Sequence, residues 1–223
     1  MTFSIVARCS KTGMFGVAVS SSSPAVAARC AYAQAGVGAV ASQNITDPTL
    51  GIRGLELLAR GASAAEAIAI LKRTTYSEYR QVLAVDATGM SAIHSGPKAL
   101  GIWAEARAEN VACGGNLLAN DGIPQAMVNA FLASEGHLGD RLIATMRAAL
   151  KAGGEAGPVR SAGMKLVRDV SWPVADLRCD WTEECPIEQV AMLWELYKPQ
   201  LDAYVTRAIN PSDAPSYGVP GDE

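Results

Sequence analysis

Residues 35–42 read Ala-Gly-Val-Gly-Ala-Val-Ala-Ser, a run with nothing larger than valine. Such a run suits a strand buried on both faces, where bulky side chains have no room. A chain containing it must supply cover for each face. The composition suits such close layering. Of 223 residues, 39 are alanine and 21 glycine, while aromatics make up 6%. The core is therefore expected to be built from small side chains that let strands and helices approach closely. At 223 residues the chain is long enough for one sizeable hydrophobic core. No repeat, linker or shift in composition marks a second domain. A single domain is expected over 1–209, followed by a Pro/Gly-rich tail over 210–223 that is either an extended arm or disordered.

The flanking patterns supply the cover. Phe3, Ile5 and Ala7 alternate with Thr2, Ser4, Val6 and Arg8, which predicts a strand at the very start. Lys11-Thr12-Gly13 turns it into a second strand over 15–20. Pro48 opens a helix that ends at Gly61, and Ser63 with Glu66 forms a capping box for the next. Residues 80–85 and 90–95 alternate around Asp86-Ala87-Thr88-Gly89, a hairpin signal. A short strand through Val111 and Cys113 is expected to run into a turn at Gly114-Gly115-Asn116. Ile123, Ala126, Met127, Ala130 and Phe131 mark one helix, and 138–150 another. Strands are expected over 161–167 and 174–179. From Pro186 to Ala208 the apolar positions Ile187, Val190, Trp194, Tyr197, Leu201 and Tyr204 keep a 3-4 alternation, carried as one kinked helix across Pro199. Segregated groups of strands and paired helices argue for a layered α+β fold rather than a doubly wound parallel sheet. Gly36-x-Gly38 lacks the third glycine of a dinucleotide site, and no P-loop is present.

Several chemistries are removed at once. Two histidines, His94 and His137, cannot build a multi-histidine metal site, so neither metal nor other cofactor is expected. Five cysteines without a C-x-x-C pair read as reduced thiols, hence a cytoplasmic setting. A net charge of −3 with no basic run makes nucleic acid and membrane surfaces poor partners. No stretch is apolar enough to span a bilayer, and Met1-Thr2-Phe3-Ser4 lacks the features of a secretory signal. The aromatic stripe after Pro186 is expected to pack on its own sheet, with a homodimer contact as a second use.

The residues that remain for chemistry are few. If Met1 is trimmed, as methionine before a small residue readily is, Thr2 carries a hydroxyl and a free α-amine together. An α-amine with a pKa near 7.7–8.0 is about 10–20% neutral at pH 7, enough to take the hydroxyl proton without a histidine. Ser20–Ser23 and Ser42-Gln43-Asn44 end strands, where hydroxyls and amides gather around ligands. Of these, Ser20 and Gln43 are the expected substrate contacts. Gly115 and Asn116 offer an N–H and an amide to an oxyanion. Arg80, Arg160 and Arg178 sit at or near strands, where a guanidinium binds a carboxylate or pairs with an acid such as Asp180. His94 and Ser95 are strand neighbours on opposite faces, so they do not form a couple. His137 is expected to be solvated, and Cys9 and Cys113 to be small buried hydrophobes.

Taken in order, Met1-Thr2-Phe3-Ser4-Ile5-Val6-Ala7-Arg8, Gly16-Val17-Ala18-Val19-Ser20, Gly36-Val37-Gly38-Ala39-Val40, Arg80-Gln81-Val82, Gly115-Asn116-Leu117, Ser161-Ala162 and Leu177-Arg178 with Asp180 resemble one bacterial family of unknown function, DUF1028. The resemblance runs from residue 2 to about residue 210. That family is grouped with the N-terminal-nucleophile (Ntn) hydrolases, so the resemblance implies a four-layer αββα sandwich of two antiparallel sheets. It also implies an amidohydrolase-type site with Thr2 as nucleophile and base, acting on a small or peptide-like amide. The family pattern has an Asp, an Arg and a Gln where this chain has Glu155, Gly157 and Arg160, a departure that leaves the role of this segment open. The alternative expectation is a non-catalytic module on the same fold, holding a small anion against Arg80 or Arg160.

Overall fold

The computed structural model describes residues 1–221. The chain opens with β1 (Thr2–Arg8) and β2 (Phe15–Ser21), joined where Gly13 takes a φ of 73°. One helical turn, α1 (Ala27–Cys30), leads into β3 (Ala31–Gln34) and β4 (Gly38–Gln43). The small-residue run is thus split: Gly36, at φ 70°, makes a turn, and every residue of β4 is buried. Gly38 has a specific reason to be glycine, since a Cβ there would stand 2.5 Å from the Val85 carbonyl oxygen.

Two helices follow, α2 (Pro48–Ala59) and α3 (Ala64–Leu71). Asp47 caps the first by accepting from Thr49 N–H, and the expected capping box of Ser63 and Glu66 closes reciprocally on the second. The hairpin of β5 (Gln81–Asp86) and β6 (Ser91–Ser95) comes next, then β7 (Ala104–Ala108), a strand the sequence pattern did not announce, and β8 (Val111–Asn116). Gly114, Gly115 and Asn116 are therefore strand, not turn. With partners on both sides, β1 and β7, their backbone pairing outweighs the turn preference of the glycines.

The helices α4 (Ile123–Ala133) and α5 (Leu138–Lys151) precede β9 (Ser161–Val167) and β10 (Ala175–Cys179). The last helix is two helices. Pro199 cannot donate to the preceding turn, so α6 (Pro186–Tyr197) gives way to a 3₁₀ turn over Lys198–Gln200 before α7 (Leu201–Ile209). Beyond it, Pro211–Asp213 forms another 3₁₀ turn and the Tyr217 ring lies 3.6 Å from the Arg207 guanidinium carbon, so this part of the tail is folded back. Residues 222 and 223 of the expected tail lie outside the described residues.

The fold is mixed α+β with two antiparallel sheets, a six-stranded one in the order β10-β9-β2-β1-β8-β7 and a four-stranded one in the order β3-β4-β5-β6. Alternation along β1 sorts its side chains. Phe3, Ile5 and Ala7 join Met127, Phe131, Leu142 and Trp194 from α4, α5 and α6. Val6, on the other face, joins Ala39, Ala41, Leu83 and Val85 of the four-stranded sheet. The far face of that second sheet gives Val40, Val82 and Ala84 to Leu50, Leu58, Ala67 and Ile68 of α2 and α3. The two sheets thus face each other across the Val6 layer. Thr2 and Ser4 share the Val6 face and lie at its end.

Candidate active site

Thr2 is the first residue of β1 and is 7% exposed. The ladder pairs it with Asn116 of β8. On the other side Phe3 pairs with Ser20, which places Ser21 beside Thr2, and Ser21 in turn pairs with Ser161 of β9. Directly opposed residues on antiparallel strands share a face. A polar row of Ser161, Ser21, Thr2 and Asn116 therefore crosses the six-stranded sheet on its inner side.

The hydroxyls of this row converge on one carbonyl. Thr2 Oγ1 donates to the Met1 oxygen at 2.5 Å, and Ser21 Oγ donates to the same oxygen. The two hydroxyl oxygens are 3.2 Å apart. Ser21 also meets Ser23 Oγ at 2.9 Å, and Arg29 Nη2 donates to Ser23 Oγ at 2.7 Å. A hydrogen-bonded line thus runs from the Arg29 guanidinium to Thr2.

Below this row lies an amide cluster from both sheets. Gln43 of β4 and Gln81 of β5 pair across their ladder, with Gln43 Nε2 donating to Gln81 Oε1 at 2.7 Å and to the Gly114 oxygen at 3.2 Å. Asn116 Nδ2 donates to the same Gln81 oxygen at 3.3 Å. Gln81 Nε2 donates to Ser95 Oγ at 2.9 Å and to the Gly115 oxygen at 3.2 Å. Gln43 and Ser4 are both fully buried, yet Gln43 Oε1 and Ser4 Oγ find no hydrogen-bond partner among the described residues. Buried polar atoms are rarely left so, because each forgoes about 1–3 kcal/mol.

The remaining wall is acidic. Glu155, 5% exposed, accepts from Ser22 N–H at 3.1 Å through Oε2. Burial pushes its carboxyl up to about 7, against the pull of the positive chain terminus and the Ser22 bond.

The expected residues fall into two groups. Thr2, Asn116 and Gln43 belong to the two connected polar clusters just described. Ser20 does not: paired with Phe3, it points to the opposite face and donates to the Ser161 oxygen. Gly115 lies within the ladder between Phe3 and Ala104, so its N–H is aimed at a neighbouring strand while Asn116 presents a side chain beside Thr2. The Arg160 guanidinium is bound to Glu183, at 2.6 Å to its carboxylate and 2.8 Å to its carbonyl oxygen. Arg80 precedes Gln81 and so alternates away from the amide cluster. Behind the hydrogen bond from the Thr49 hydroxyl, its charge helps hold Asp47 below the ordinary carboxylate range. Arg178 pairs with Asp180 at 2.8 Å.

Ser21, Gln81 and Glu155 are residues that the sequence reading named only inside a serine run, a family motif and a departure from the family pattern, and to which it gave no site role of their own. The serine run pointed at the right place but one residue early, and strand parity with Thr2 decides for Ser21. His94 bonds the Ser77 oxygen at 2.9 Å, away from Ser95 Oγ, which meets Glu105 at 2.6 Å. His137 is half-buried rather than fully solvated. It caps α5 by accepting from Gly139 N–H at 3.1 Å, its ring 5.0 Å from that of Trp194. Cys9 and Cys113 are buried, and burial pushes the Cys113 thiol well up. Among the described residues, no helix is long and apolar enough to cross a membrane, and no group of three or more His, Cys, Asp or Glu is placed to hold a metal ion.

Comparison with other proteins bears on the whole of this geometry. Residues 2–190 match the model of a family described as a family of unknown function, DUF1028. The crystal structure of protein SPO2555 from Silicibacter pomeroyi, of that same family model, is 28% identical; the match covers 87% of this chain and 88% of that one with a TM-score of 0.81. Anbu (ancestral beta-subunit) from Yersinia bercovieri matches over 90% of this chain and 96% of its own at 12% identity and a TM-score of 0.41. Curated proteins gave no match.

Proposed function

The chain belongs to the DUF1028 family of unknown function, and from that premise we propose that it is an amide-bond hydrolase of the N-terminal-nucleophile type, working on a small or peptide-like amide once Met1 has been removed. In this reading the facing sheets with their outer helices form a four-layer αββα sandwich, and Thr2 is nucleophile and base at the mouth of its inner layer. One observation carries the proposal. Thr2 and Ser21 both direct their hydroxyls at a single carbonyl oxygen, that of Met1, which is the first group to leave when Met1 is trimmed.

The chemistry follows from what trimming leaves behind. Thr2 Oγ attacks the substrate carbonyl carbon while its proton passes to the Thr2 amine. The oxyanion takes hydrogen bonds from the Ser21 hydroxyl and from the Asn116 N–H that does not serve Gln81. The ammonium returns its proton to the leaving nitrogen as the carbon–nitrogen bond breaks, and an ester remains on Thr2. Water, deprotonated by the same amine, then releases the acid. The free thiols support a reducing, cytoplasmic setting for this chemistry.

Intact-mass measurement of protein purified from cells is expected to show loss of Met1. A β-lactone, which acylates a hydroxyl by ring opening, is expected to add one mass equivalent at Thr2 in that protein and none in Thr2→Ala. Retained Met1 in all of the protein, or a Met1-free protein that stays unlabelled, overturns the proposal. Reversible binding of small anions that is indifferent to Thr2→Ala, with no acylation, turns the assignment to a binding module instead.

A further inference from the structure

Glu155 lies where the two strands flanking β1 come to an end. On one side it forms a bridge with Leu118, and Ala156 N–H donates to the Leu117 oxygen at 3.0 Å, just beyond Asn116 of β8. On the other, its own carboxylate takes Ser22 N–H, and Arg160 N–H donates to the Ser21 oxygen at 2.8 Å, at the end of β2. A segment tied to the ends of both β8 and β2 spans the start of β1 between them. Met1 lies against it, because a Cβ on Gly157 would be 3.4 Å from Met1 Cε.

The carboxyl placed there is unfinished. Oε1 of Glu155 has no hydrogen-bond partner among the described residues, and the side chain is 5% exposed. The titratable side chains nearby in sequence or at the neighbouring strand ends have partners of their own. Arg160 is held by Glu183, and Arg29 by Ser23 Oγ and the Pro24 and Ala25 oxygens. Cys30, its thiol pushed up by burial, meets Thr46. The cation that acts on Glu155 here is the α-amine of Met1, and removal of Met1 moves the amine one residue inward, to the Thr2 nitrogen at the start of β1 that the 155–157 segment spans.

We propose that Glu155 is a positioning residue that pairs with the N-terminal amine of the chain and governs when that amine is free to take a proton. The inference rests on the reading of Thr2 as nucleophile and adds to it the group that seats its base. A buried carboxylate within reach of an ammonium favours the charged amine. The pair therefore delays the appearance of neutral amine as pH rises. It also holds the amine's nitrogen in place over the start of β1.

The test reads the amine directly. Full-length Met1-free protein is acetylated with limiting acetic anhydride across pH 5–10, and the labelled N-terminal peptide is quantified by mass spectrometry. Glu155→Gln is expected to move the amine's midpoint down by about one pH unit, roughly tenfold more neutral amine at pH 7, with Glu155→Asp restoring part of the shift. An unmoved midpoint overturns the proposal. Should the variants not fold, the wild-type protein still decides. Its Glu155 carboxyl, followed by carbon-13 NMR, is expected to titrate higher after the amine is acetylated, and an unchanged titration overturns the proposal. The two readings fail separately. A midpoint that shifts in a protein that no β-lactone labels upholds the pairing and removes the nucleophile. Labelling at Thr2 with one pH profile in wild type and Glu155→Gln does the reverse.

Discussion

Ile45 is a β-branched residue held at a φ of 48°, with its side chain 53% exposed. Left-handed backbone costs a non-glycine residue about 1–2 kcal/mol, and a β-branched one meets the greatest steric resistance. Asn44 at φ 57° and Leu117 at φ 51° share the condition, and all three follow closely on Gln43 or Asn116. Strained backbone thus stands at the exits of β4 and β8, two of the three strands that carry the amide cluster. Because the Ile45 side chain contributes little burial, Ile45→Gly is expected to raise stability by about 1 kcal/mol, read as a higher urea midpoint with an unchanged slope. At this scale the site was only partly legible. Thr2 declared itself by being second in the chain, Gln43 by standing among strand-end polar residues, and Asn116 by its amide beside two glycines. Glu155 stood out only as a departure from the family pattern, with no role to read from it, since its seat is made by the ends of strands distant in sequence. Ser20 and Ser21 differ only in which face of a strand they take, and that depends on pairing with β1.

The elements show the same division. The capping box at Ser63, the hairpin at Asp86 and the period of α4 are local patterns, and each formed as its residues dictate. The strand β7 was not legible because it is half exposed and is paired by β8, whose Gly114-Gly115-Asn116 end reads locally as a turn. The join of α5 to α6 is another contact invisible from either helix alone. A Cβ on Gly139 would stand 2.5 Å from Cζ2 of Trp194, whose indole is further pinned by donating to Asp140 Oδ1 at 2.8 Å. Alanine would favour the α5 helix by up to about 1 kcal/mol. Even so, the clash with an immobile ring is expected to leave Gly139→Ala destabilised by about 1–2 kcal/mol, measured by thermal melting followed through tryptophan fluorescence.

The molecule as a whole sets two opposed groups of carboxyls against each other. Burial alone would raise Asp86 and Asp140. For Asp86 the Thr88 hydroxyl and the N–H groups of Ala64, Thr88 and Met90 outweigh it, and for Asp140 Lys198 and the Trp194 indole do so. Both are held below 3.8, so their stabilisation is present above that pH and is lost as pH falls through their folded values. Glu155 runs the other way. Raised from 4.5 to about 7, it contributes stability that is full below 4.5 and is lost as pH rises through about 7. Urea midpoints of Glu155→Gln are therefore expected to gain on the wild type steadily between pH 4.5 and pH 8, and a constant difference would contradict this. The layering that creates such a buried acid was foreshadowed by the run at 35–42, whereas the meeting of its strand ends was not, because it depends on the order β2-β1-β8 in space. That order has a practical corollary. Since β1 is an interior strand and its first residue is walled by Ser21, Asn116 and the 155–157 segment, a purification handle fused ahead of Met1 would have to leave through the mouth of the candidate site, plugging it and masking the amine that the proposed chemistry needs. Handles for this protein belong at the other terminus.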